Sequence, residues 1–191
     1  VLVINLERSG ESIARRIGRV NAALGIEGKR PILTLNARGR SLDDIMEVAA
    51  LAVKDHEIDL VCLDSISRAG FGDLTENRPV NRIVDSLNGL APSWIALGHS
   101  PRTDDTHIFG GVHFDAGADI VVRLISQMKE NSLGIGLEIV KENDVGRSPK
   151  QFLALEFYPE SGRGLKAVRL AGRTEFTSLA AEIATNIEEE I

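Results

Sequence analysis

The stretch IDLVCLDSISRAG, residues 58–70, decides the fold of this chain. Five of its first six residues are apolar, Asp59 being the exception, and the run ends on Asp64, then Ser65 and a polar loop. A short, nearly continuous apolar run reads as a strand covered on both faces, as in a parallel sheet flanked by helices. In an open parallel sheet the carboxyl ends of the strands face one crevice, where ligands bind. An acid at that end is aimed at chemistry, or else caps the loop.

Working outward, VLVINL (1–6), PILTLN (31–36) and WIALG (94–98) are further apolar runs of strand length. Between them lie helical patterns. Ser9 or Ser12 caps a helix carrying Ile13, Ile17, Val20 and Leu24, which Gly25 stops. Ser41 with Asp44 three residues on forms a capping box for a helix with Leu42, Ile45, Met46, Ala49 and Val53. VNRIVDSLNGL (80–90) places Val80, Ile83, Val84 and Leu87 on one side of a third helix. Strands alternating with helices imply right-handed crossovers and an α/β fold with a mainly parallel central sheet.

From residue 119 the pattern changes. DIVVRLI, LGIGLEIV, FLALEF and LKAVRL are β-rich runs separated by turns, expected as an antiparallel C-terminal extension of the same sheet. Residues 173–191 read as an amphipathic C-terminal helix with Phe176, Leu179, Ile183 and Ile187 on one side. A length of 191 residues suits a single domain, 1–191.

Composition narrows the class. No apolar run approaches the roughly 20 residues of a membrane helix, and VLVINLERSG has neither the basic leader nor the cleavage site of a signal peptide. A lone cysteine, Cys62, forms no internal disulfide, which fits a reducing cytoplasm. The net charge of -6 argues against a uniformly basic, nucleic-acid-coating surface but leaves room for a local basic loop.

Three expected strands run into groups that can do chemistry: VLVINL into Glu7, LVCL into Asp64 and WIALG into His99. Gathered at one crevice, they suit phosphoryl transfer. Asp64 is a hard oxygen donor for the water shell of Mg²⁺, Glu7 can orient and deprotonate an attacking water, and His99 can donate to a γ-phosphate.

The order of these motifs, with LVCLDS, then IALGHS, then a glycine-containing loop leading to ADIVVRL, resembles the RecA-like ATPases over residues 1 to about 157. The likeness is greatest to the RepA-type hexameric helicase branch and the AAA-type ATPases beside it, with KaiC and DnaB more distant. The resemblance implies ATP and Mg²⁺ as cofactors, Glu7 as catalytic glutamate, Asp64 as the Walker B aspartate and metal ligand, Ser65 beside the nucleotide, and His99 as sensor. It implies a mobile DNA-contacting loop at residues 100–114, with Arg102, His107 and His113 as contacts and Gly110 and Gly111 supplying freedom of movement. It also implies a ring of identical subunits acting on DNA, single-stranded by preference, with Lys141 or Arg147 reaching a neighbour's nucleotide.

The departure from that family is the absence of any G-x-x-x-x-G-K-[ST] loop. Because that loop precedes the strand of the catalytic glutamate in these ATPases, an N-terminal strand and P-loop are expected upstream of Val1. The chain without them is expected to bind ATP poorly. Rival readings are a KaiC-like regulatory ATPase, a non-catalytic assembly module that has lost the phosphate loop, and a Mg²⁺-dependent nuclease. The nuclease usually needs a second carboxylate two residues after the first, where this chain has Ile66.

Overall fold

The computed structural model of the protein describes residues 1–27, 30, 32–70, 74, 76–100, 113–143, 149–159 and 164–176. Two compact units are present: residues 1–14 with 29–118, and residues 15–28 with 119–191.

In the first unit, four strands, β1 (Leu2–Asn5), β2 (Leu33–Asn36), β3 (Leu60–Asp64) and β4 (Ser93–Leu97), form a parallel sheet in the order β2-β1-β3-β4. Its register aligns Asn5 with Asn36 on one side and with Asp64 on the other. In chain order helices α1 (Gly10–Ala23), α2 (Met46–Asp55) and α3 (Asn77–Leu90) fall between successive strands, residues 15–23 of α1 being grouped with the second unit. The core is built from Leu2, Ile4, Val61 and Leu63 of the sheet with Ile45, Ala49, Val80, Ile83 and Leu87 of the helical segments.

Local sequence explains the element ends. Of the two serines offered as a cap for α1, Ser9 serves, its Oγ accepting the Ser12 amide at 3.3 Å. Gly25 closes the helix at φ +64°, a left-handed conformation that glycine takes without steric cost. The Ser41–Asp44 box is reciprocal: the Ser41 amide donates to Asp44 at 2.8 Å, and the Asp44 amide to Ser41 Oγ at 3.3 Å. A 3₁₀ turn, Asp43–Ile45, intervenes before α2 begins. α3 starts three residues earlier than its apolar pattern, because Pro79 in the first turn removes an amide that has no intrahelical partner there.

The second unit holds β5 (Ile120–Lys129), β6 (Ser132–Glu142), β7 (Gln151–Phe157) and β8 (Leu165–Leu170), preceded in the chain by the short helix α4 (His113–Gly117) of the first unit. These strands pair antiparallel in sequence order. Among the described residues they form a sheet of their own, rather than continuing the parallel one as expected. Antiparallel neighbours joined by short turns find each other locally, whereas addition to a parallel sheet needs a long crossover. Ile125, Phe152, Ala154 and Phe176 make its core. The C-terminal helix expected over 173–191 falls mostly outside the described residues, with residues 173–175 forming a turn.

Candidate active site

Backbone pairing brings the first acid to the second strand's end. β1 and β3 are parallel neighbours, and just beyond β1 the Leu6 amide donates to the Asp64 carbonyl at 2.7 Å. Glu7 follows immediately. Its Oε1 accepts from Ser65 Oγ and, at 3.3 Å, from Ser67 Oγ, and the two serine hydroxyls are 2.8 Å apart. The Asp64–Ser65 peptide is cis.

On β4's side of this cluster, His99 Nε2 stands 3.6 Å from the same Glu7 oxygen. That is beyond hydrogen-bonding reach but close enough for an electrostatic contact. His99 is 70% exposed and Glu7 21%, so the imidazole is open to a ligand while the carboxylate is largely enclosed. The Ser65 hydroxyl is the chief reason that the Glu7 carboxyl is held below the ordinary glutamate value; burial opposes it, and His99 and Ser67 add to the lowering. Asp64 is half-buried at the strand's end.

Beneath Glu7 lies a support that sequence reading did not identify. Asn5, fully buried, donates through Nδ2 to the Arg8 carbonyl at 2.7 Å and to Asn36 Oδ1 at 3.0 Å, and its Oδ1 accepts the Arg8 amide at 2.9 Å. Residues 5–8 are thereby folded into a fixed turn with Glu7 inside it. The available signal was an asparagine at the end of one expected strand, Asn36, and one residue before the end of another, Asn5.

A cavity of about 480 Å³ adjoins the carboxylate. Its lining includes Glu7, Arg38, Arg40, Ser41, Arg68 and Gly70, drawn from the ends of β1, β2 and β3. The two arginine-bearing loops are clasped together: the Leu42 amide donates to the Ala69 carbonyl at 2.9 Å. Gly70, at φ +83°, lies so near Ser41 that a Cβ there would stand 2.8 Å from the serine Cβ. Only glycine fits at that crossing.

Of the remaining sequence-derived candidates, Lys141 lies on β6, opposite Val121, in the second unit. His113 begins α4, and its side chain is outside the described residues, as are Arg102, His107, Gly110, Gly111 and Arg147. Among the described residues there is no group of three His, Cys, Asp or Glu side chains that could hold a metal. Mg²⁺ does not require one, since it keeps several waters and takes one or two carboxylates plus substrate phosphates. Asp64, half-buried at the end of β3, is a carboxylate of the kind such an ion takes. Also among the described residues, no helix is long and apolar enough to cross a membrane.

Residues 1–94 match the family model of the AAA domain. No curated protein matches the chain significantly. Among solved structures, the chain is similar to a KaiC-like protein from the hyperthermophilic archaeon Pyrococcus horikoshii OT3. The TM-score is 0.61 at 16% identity, covering 90% of this chain and 76% of that one. At that identity the likeness is one of fold.

Proposed function

We propose that this chain, whose residues 1–94 match the AAA domain model and whose fold is similar to that of a KaiC-like protein, is a RecA-like P-loop ATPase and, within that class, an ATP-hydrolysing motor domain of the DNA-replication or plasmid and phage helicase type. In this reading it works in the cytoplasm as a ring of identical subunits and couples Mg²⁺-ATP hydrolysis to binding or translocation of single-stranded DNA. The observation that carries the reading is the Glu7 carboxylate, fixed by Ser65 and Ser67 and faced by His99, one strand away from Asp64.

Asp64 would hold Mg²⁺ through its water shell, and the ion's part is to neutralise charge on the phosphates. Glu7 orients a water for in-line attack on the γ-phosphorus and takes its proton as the bond to the leaving diphosphate breaks. Because its pKa is lowered, Glu7 is a weak base, and its larger contribution is to aim the water. His99, exposed and adjacent, donates to the γ-phosphate and loses that partner on hydrolysis. Lys141 or Arg147 of a neighbouring subunit would complete the charge stabilisation. Arg102, His107, Gly110, Gly111 and His113 would form the DNA-contacting loop.

A KaiC-like regulatory ATPase is the second reading, favoured by the matched archaeal structure. Stimulation of turnover by single-stranded DNA supports the motor, and indifference to it supports the regulator. The common premise is tested by phosphate release from Mg²⁺-ATP by the full-length protein. Glu7→Gln and Asp64→Asn should each lower kcat by at least about 100-fold with the fold intact by circular dichroism. Undiminished turnover in either variant would remove the assignment.

A further inference from the structure

The cavity beside Glu7 is lined by Arg38, Arg40 and Arg68, and among the described residues none of their guanidinium groups forms a salt bridge. Arg82 pairs with Asp43, Arg123 with Glu138, and Arg169 with Glu156 and Glu175. The guanidinium groups of Arg38 and Arg68, by contrast, form no ion pair or hydrogen bond with any described residue. Arg40 lies in the field of Asp44, whose carboxyl is lowered chiefly by Ser41 and least by Arg40. Among the described residues of the lining Glu7 is the one acid, so there three positive charges face a single negative one in a chain whose net charge is -6.

Such a concentration against the overall sign is held in place, since the Leu42–Ala69 hydrogen bond, the Gly70–Ser41 crossing and the Ser41–Asp44 box fix both loops. Guanidinium forks match the oxygens of phosphate, and the fixed loops bring all three arginines to one cleft. We propose that this cleft is an anion site for a phosphate group, either of a nucleic-acid backbone or of a free polyphosphate, distinct from the Asp64 and His99 side of Glu7. Neither Asp64 nor His99 contributes to the cavity lining.

Two probes are used without Mg²⁺ on the full-length protein: inorganic pyrophosphate by calorimetry, and a fluorescent oligothymidylate by anisotropy at about 50 and 200 mM salt. The double variant Arg38→Gln/Arg68→Gln should weaken whichever probe binds by about 10-fold or more, whereas Arg78→Gln, at an exposed position of α3 outside the cavity lining, should not. Glu7→Gln should bind as tightly as wild type or tighter, because a charge opposing the anion is gone.

Oligonucleotide binding whose salt slope falls by roughly 1.4 in the double variant identifies a strand backbone, at about 0.7 per lost contact. Pyrophosphate binding alone identifies a free polyphosphate. Asp64→Asn separates this site from the ATPase reading, since it should stop hydrolysis and leave probe binding unchanged. No binding of either probe by wild type at low salt, or equal binding by the double variant and Arg78→Gln, would overturn the proposal.

Discussion

The Ser65 hydroxyl sets the charge of Glu7 more than any other group does, which gives a pH signature. A carboxylate whose folded pKa is depressed adds stability above its unfolded value. That stability is lost as pH falls through the lower folded value. Glu7 should therefore remain ionised through neutral pH and down past the ordinary 4.5. Ser65→Ala should move the acid limb of the pH–rate profile upward, towards that ordinary value, and an unmoved limb would show that another group governs it. Asn5 acts one step further back. Replacing it with Ala leaves the Arg8 amide and carbonyl without their partners, a loss of about 1–3 kcal/mol by chemical denaturation. Because Glu7 sits in the same turn, kcat should fall more than KM rises.

At the scale of elements, the sheet of β5 to β8 depends on a close approach that strand propensity does not reveal. Gly134 on β6 lies under the ring of Phe176, and a Cβ built on the glycine would stand 2.5 Å from two ring atoms. Neither can give way cheaply, since Phe176 is 1% exposed. Gly134→Ala should cost about 1–3 kcal/mol by overpacking. Phe176→Leu, mildly destabilising alone, should recover part of that loss in the double variant, and strictly additive losses would contradict the packing account. The glycine that lowers β propensity at this position is thus what lets the aromatic seal the core.

For the molecule as a whole, two cores mean two separable responses to damage. Phe176→Ala removes one of the two phenylalanines of the second core, a change worth about 3–5 kcal/mol in a well-packed site. Limited proteolysis should then cut within residues 119–176 while residues 32–70 stay protected; equal loss of both would show a single cooperative unit. The parallel strands were legible in the sequence because each is a short, nearly continuous apolar run, although Ile95 and Leu97 of β4 are exposed, and the strand-end positions of Glu7, Asp64 and His99 because each follows such a run. Membership of the antiparallel strands in a separate sheet was not, since pairing partners leave no mark on an isolated run. Nor was Asn5, which looks like a flaw in an apolar stretch until its register beside Asn36 is known. Arg38, Arg40 and Arg68 read as ordinary solvated loop charges, because only the fold brings the two loops together. Their clasp has an experimental use of its own. The Leu42 amide, donating across from one loop to the other, is a built-in reporter: its hydrogen–deuterium exchange should slow when the cleft fills and accelerate when the loops part, without any label being attached.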